Sequence, residues 1–184
     1  MATLNKPKTT AKVLSSQTLY RGPVFGVRRD QVIEPGGVRT SRDVVTHSGS
    51  VVVLPVFPGQ RFLLIRQYRH AVGQFLWELV AGRINPGESP LAAAKREMIE
   101  ETGYRARRFR QLVRIYPTPG FVSEFMVVFA ALGLTKGEAR PESDERIVAR
   151  QFSLPQLLTM IRSGKLRDAK SVAAILFYAR FHGR

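Results

Sequence analysis

Cysteine is absent from this 184-residue chain, which excludes disulfides and thiolate metal sites. Histidine is scarce. His47, His70 and His182 stand far apart, suggest neither a zinc site nor a catalytic triad, and each reads as a surface or packing residue. No apolar run approaches the roughly 18–20 residues needed to cross a bilayer. Residues 1–12 carry lysines without the apolar core of a secretory leader, so a cytoplasmic protein without membrane contact is expected. Internal repeats and low-complexity tracts are missing as well. Acidic residues are few, 14 against 29 Lys and Arg, for a formal net charge of +15. Such a balance fits nucleic acid, an anionic membrane or a small anionic substrate. The basic residues are spread along the chain with no run of five or more, which argues against nucleic acid as main partner.

What remains is ordinary for a globular domain: 44% hydrophobic and 23% charged residues, in a chain long enough to bury a sizeable core. After a basic lead-in, residues 12–20 and 24–33 read as two strands flanking Arg21-Gly22-Pro23. Glu34-Pro35-Gly36-Gly37 is a turn, and 38–47 a return strand. The continuous apolar run 51–57 predicts a strand buried on both faces. Pro58-Gly59-Gln60 turns it into a hairpin with 61–68, and 75–81 reads as one further short strand. Later strands are expected over 104–116 and 125–132, a polar loop over 135–146, and helices from Ser153 to near Gly164 and over 169–181. The last helix should turn Val172, Ile175, Leu176 and Ala179 to one face. Strands with three inserted helices make an α+β chain, or α/β/α if the helices cover both faces of a mixed sheet.

The densest signal runs from Gly82 to Tyr104. Gly82-Arg-Ile-Asn-Pro-Gly-Glu88 is a turn-rich loop, Ser89 and Pro90 fit a helix start, and Gly103 fits its stop. Glu97, Glu100 and Glu101 fall on one side of that helix, beside an apolar stripe of Leu91, Ala94 and Met98. Carboxylates at this spacing repel by on the order of 0.2–0.5 kcal/mol per pair on an exposed helix. They can be a solvated acidic face, or they can hold hard cations such as Mg²⁺ or Mn²⁺, which prefer oxygen ligands.

The stretch matches G-x5-E-x7-R-E-U-x-E-E-x-G-U at every fixed position, with Met98 and Tyr104 in the bulky apolar slots. It resembles the Nudix box, the signature of hydrolases acting on nucleoside diphosphates linked to another group. The resemblance extends to Leu64-Ile-Arg-Gln-Tyr-Arg69, Leu76-Trp-Glu-Leu-Val-Ala-Gly82, Pro119 and Gly164-Lys-Leu-Arg-Asp-Ala-Lys-Ser171, which are similar to the ADP-ribose and nucleoside diphosphate sugar pyrophosphatases. The implied fold is a three-layer α/β/α sandwich around a mixed sheet, with residues 1–47 as N-terminal, dimer-forming strands and 48–184 as the hydrolase domain. The implied reaction is Mg²⁺-dependent hydrolysis of ADP-ribose to AMP and ribose 5-phosphate, with Mn²⁺ as possible substitute. Another nucleotide sugar, GDP-mannose or ADP-glucose, is the nearest rival, and an RNA-binding or decapping protein the rival from another class.

Phosphoanhydride hydrolysis needs an oriented water, charge neutralisation on the phosphoryl oxygens and a route for a proton. Glu97, Glu100 and Glu101 can hold the metal, and the resemblance adds the Ala81 backbone carbonyl. Arg96 and Glu88 read as residues that orient loop and helix. Arg42 and Arg69 match substrate-contacting arginines of the group, and Glu124 a glutamate near the distal sugar. Tyr20 and Phe25 can stack on adenine in a homodimer, while Phe75 and Trp77 read as core. The family's catalytic base lies in the loop here spanning 135–146, which offers Glu142 and Glu145.

Overall fold

The structure is a computed structural model and describes residues 10–138 and 147–183. It divides into two compact units, one reaching to Ser48 and including Thr118–Glu124, the other comprising Gly49–Pro117 and the chain from Phe125 onward.

In the first unit β1 (Lys12–Arg21), β2 (Gly26–Ile33) and β3 (Arg39–Thr46) form an antiparallel sheet in that order. The expected turn between β2 and β3 closes with Gly37 N–H donating to the Glu34 carbonyl at 3.0 Å. Gly36 and Gly37 sit at φ 90° and 87°, where a Cβ is strained. Arg29 grips Asp43 across the two strands with bonds of 2.7 and 2.8 Å. The segment Thr118–Glu124 lies along β3, Val45 N–H donating to Phe121 and Ser123 N–H to Val45. Every residue of β1 is exposed, Val13, Leu14, Leu19 and Tyr20 among them.

The second unit is built on a seven-stranded mixed sheet. Its strands are β4 (Ser50–Phe57), β5 (Arg61–Arg69), β6 (Gln74–Glu78), β7 (Val80–Arg83), β8 (Tyr104–Ile115), β9 (Met126–Lys136) and β10 (Val148–Ser153). The main path is β10-β5-β4-β9-β8, with β6 on β5 and β7 on β4. Among the described residues of this sheet, only the β4–β9 ladder is parallel. The apolar run of β4 is buried on both faces, as its sequence predicts. Val51 and Val53 pack with Ala93, Ala94 and Met98 of α1 (Pro90–Thr102). Val52 and Leu54 pack with Leu157 of α2 (Leu154–Arg162) and Ala174 and Ile175 of α3 (Ala169–Phe181). The result is the α/β/α arrangement expected.

Four expectations are corrected. The strand expected over 75–81 breaks at Leu79 and changes partner, Glu78 pairing with Ile65 of β5 and Val80 with Val53 of β4. Helix α1 buries Ala93 with Ala94 and Met98 while Leu91 is exposed, and α3 leaves Leu176 exposed while burying Ser171. The buried face of each helix mixes small and large residues, Ala93 and Ala94 with Met98 in α1 and Ser171 and Ala174 with Ile175 in α3. Trp77 packs edge-on against Phe152 at 5.0 Å, whereas Phe75 is half exposed against Tyr68. Strand β10 lies at one edge of the sheet. The opposite edge, β8, exposes Arg105, Arg107, Arg108 and Arg110; such a charged edge discourages pairing with another chain.

Candidate functional site

The residues of the 82–104 stretch come together as a loop folded against the start of a helix. Ser89 caps α1, accepting from Ala92 N–H at 3.2 Å, and Gly103 ends it at φ 73°. The two loop glycines have different reasons to be glycine. Gly87 has φ 77°, a left-handed conformation. Gly82 instead makes room: a Cβ there would lie 1.9 Å from the carboxyl carbon of Glu97. The Glu97 carboxylate thus rests directly on the backbone of residue 82.

Arg96 locks this arrangement. Its guanidinium donates to both oxygens of Glu88 at 3.0 Å, to Glu97 at 2.7 Å, to Glu100 at 2.9 Å and to the Arg83 carbonyl at 2.9 Å. Glu88 in turn accepts from Asn85 N–H at 3.1 Å. The loop is therefore held to α1 at both of its ends. The hydrogen bonds from Arg96 hold the Glu88 carboxyl below its ordinary value, against the opposing effect of burial. The guanidinium is itself shifted upward, chiefly by Glu88. Arg96 and Glu88 are placed for the orienting task read from the sequence.

Glu97, Glu100 and Glu101 share one side of α1. Glu101 is 6% exposed, and Glu97 and Glu100 are partly buried and bonded to Arg96. Among the described residues no three carboxylates or histidines converge as a finished ligand set; the cation between Glu97 and Glu100 is Arg96. The donors fit a hard divalent ion nevertheless. They are all oxygen and clustered within one turn of helix, and one of them rests on a glycine backbone that leaves no side chain in the way. The Ala81 backbone adjoins this glycine on β7, opposite Val52 of β4.

Arg69 does not stand open. It makes a bidentate pair with Glu78, both bonds 2.7 Å, and Glu78 is 1% exposed. Burial pushes the Glu78 carboxyl upward, but the hydrogen bonds from Arg69 and the charge of Lys170 outweigh it and hold the carboxyl below its ordinary value. The Arg69 guanidinium is shifted upward by Glu78, with a smaller contribution from Glu101. The Glu78 cluster was missed in the sequence, although a charge inside the apolar run Leu76-Trp-Glu-Leu-Val80 is the signal that could have found it.

In the other unit, Arg42 is bonded to Glu34 at 2.8 Å on an exposed sheet face. Tyr20 and Phe25 are both exposed and pack against each other, ring centroids 5.5 Å apart. Glu124 lies 3.6 Å from His47 Nδ1. Glu142 and Glu145 lie outside the described residues. No helix among the described residues is long and apolar enough to cross a membrane.

Comparison with known proteins adds the following. Residues 46–175 match the model of the NUDIX domain, and residues 12–45 match that of the nucleoside diphosphate sugar hydrolase N-terminal domain. The chain is 34% identical to an ADP-ribose pyrophosphatase of Mycobacterium tuberculosis, over 90% of this chain and 81% of that protein. It is 30% identical to a methanol dehydrogenase activator of Bacillus methanolicus, over 90% and 91% of the two chains. Its fold is similar to that of a solved structure described as an ADP compounds hydrolase, with a TM-score of 0.82, 22% identity and 96% of each chain covered.

Proposed function

This chain belongs to the Nudix hydrolase family, and on that premise we propose that it cleaves the diphosphate of ADP-ribose to AMP and ribose 5-phosphate. The observation that carries the substrate is the likeness, along most of the chain, to an ADP-ribose pyrophosphatase. Nudix hydrolases depend on divalent metal, and here Mg²⁺, with Mn²⁺ as substitute, would be held by Glu97, Glu100, Glu101 and the Ala81 carbonyl. Bound there, it would neutralise phosphoryl charge and lower the pKa of a water. The chain's own groups supply the rest. Arg96 and Glu88 keep the loop on the helix, so that Glu97 stays seated on Gly82. Arg42 and Arg69 bind the diphosphate, Arg69 from its seat on Glu78, and Glu124 lies by the distal sugar. A loop glutamate, Glu145 or Glu142, takes the proton of the attacking water.

We assign the exposed strand β1 to a homodimer interface, because ten consecutive exposed residues that include Val13, Leu14, Leu19 and Tyr20 form a surface that a second copy can cover. Residues 1–47 then act as a dimer-forming segment and 48–184 as the hydrolase domain, with Tyr20 and Phe25 stacking on adenine. A cytoplasmic location accords with a nucleotide substrate.

A substrate panel tests the reading: ADP-ribose, GDP-mannose, ADP-glucose and capped RNA, each with Mg²⁺ and with Mn²⁺. The expected result is the highest kcat/KM on ADP-ribose. Faster turnover of either other sugar nucleotide overturns the substrate. Preferential attack on capped RNA, with affinity falling steeply with salt, overturns the small-molecule assignment.

A further inference from the structure

The break at Leu79 creates a problem that the fold solves from a distance. The β6–β5 ladder ends with Glu78 and the β7–β4 ladder begins with Val80. Leu79 between them is fully buried, and a buried backbone N–H without an acceptor is costly. Its acceptor is Ser171 Oγ at 2.7 Å, from a residue 92 positions along the chain and itself 0% exposed. Ser171 belongs to the first turn of α3, and its hydroxyl donates to Asp168, the residue that caps this helix.

The connection returns to the strand by a second route. Lys170 Nζ donates to Asp168 at 2.8 Å and to Glu78, the residue just before Leu79. Arg69 also holds Glu78, donating to both of its carboxylate oxygens. Formal charge balances, with Arg69 and Lys170 against Glu78 and Asp168. Two adjacent residues at the strand break are therefore tied to the first turn of α3, one through its backbone N–H and the other through its carboxylate.

The break is followed within three residues by Ala81 and then by Gly82, on whose backbone Glu97 is seated. We propose that Ser171 and Lys170, with Asp168, clamp the strand break at Glu78–Leu79 and thereby position the Ala81–Gly82 backbone for metal binding. They are positioning residues: they act through the strand and touch neither metal nor substrate. The inference rests on the metal-site reading above, which assigns the ion to that backbone and to the α1 glutamates. The physical logic is that of outer-shell groups around a metal, whose loss typically lowers affinity about 10–100-fold. A Ser171 deprived of its hydroxyl leaves Leu79 N–H without an acceptor and frees the break to shift.

The test measures Mn²⁺ binding to the substrate-free enzyme by electron paramagnetic resonance, for wild type, Ser171→Ala, Lys170→Gln and Glu97→Gln. Ser171→Ala is expected to weaken Mn²⁺ binding about tenfold or more. In the same variant excess Mg²⁺ should restore kcat, with KM for ADP-ribose near wild type at saturating metal; a general packing defect would not be rescued by metal. Should Ser171→Ala fail to fold, Lys170→Gln carries the test with the same readout. Wild-type affinity in the folded clamp variant, alongside weakened binding in Glu97→Gln, overturns the clamp and leaves the metal site standing. Unchanged affinity in Glu97→Gln overturns the metal-site reading and the clamp with it.

Discussion

Glu97 is seated on Gly82, in a space that a single methyl group would fill: the added Cβ would approach the Glu97 carboxyl carbon to 1.9 Å. The clash falls on the far end of a flexible side chain, so the chain can fold around it by moving Glu97 aside. Gly82→Ala should therefore leave the melting temperature close to wild type and lower kcat/KM for ADP-ribose by about 10–100-fold, the range for a displaced metal-site group. Wild-type kcat/KM in a folded Gly82→Ala protein would show that the seat has no catalytic consequence.

Glu101 is the most buried of the three helix carboxylates on α1. Glu101→Gln keeps its volume and removes its charge. Turnover at saturating Mg²⁺ should fall at least about a hundredfold, equivalent to losing about 2.7 kcal/mol or more of charge stabilisation in the transition state, with little change in thermal stability. Near-wild-type turnover would remove Glu101 from the metal site.

Glu78 should leave a signature in the acid limb of stability. Its carboxyl is held below the ordinary value because Arg69 and Lys170 outweigh burial. A depressed carboxyl contributes stability that is complete above its unfolded value, about 4.3, and is lost as pH falls through the lower folded value. Glu78→Ala should destabilise the fold near neutral pH, since Arg69, 40% exposed, loses its bidentate partner and Lys170 keeps only Asp168. Solvent at Arg69 and the remaining Lys170–Asp168 bond hold the cost below the full penalty of a buried unpaired charge. That difference, read from urea unfolding at a series of pH values, should shrink steadily below about pH 4. A difference independent of pH would mean that Glu78 acts by packing alone.

The exposed strand β1 makes assembly measurable. Deleting residues 1–35 removes β1 and β2, and should abolish the dimer and the activity together, seen by light scattering and by ADP-ribose turnover. A fully active monomer after that deletion would contradict the assignment of residues 1–47.

The two loop glutamates are separated by kinetics. If Glu145 is the base, Glu145→Gln lowers kcat by roughly 10²–10⁴-fold, the usual range for loss of a general base, while substrate binding survives and Glu142→Gln is milder. A double variant that keeps more than about a tenth of wild-type kcat assigns the proton to another acceptor.

What the sequence determined by itself is what depends on neighbours along the chain. The Gly82–Tyr104 stretch was legible as loop, cap, helix and stop because Ser89, Pro90 and Gly103 act within one turn of where they stand. The side of α1 that carries Glu97, Glu100 and Glu101 follows from helical period alone. The burial of Val51–Leu54 follows from an uninterrupted apolar run. Docking decided the rest. Which apolar residues of α1 and α3 meet the sheet was set by how each helix is turned when it docks, so Ala93 went in and Leu91 and Leu176 stayed out. The strand expected over 75–81 divided at Leu79 because residues before and after it pair with different strands. The acceptor that makes this tolerable sits 92 residues away on Ser171. Local rules reach only a turn of helix or a pair of strands, so only the packing of α3 against the sheet could bring Ser171 to Leu79 and Lys170 to Glu78.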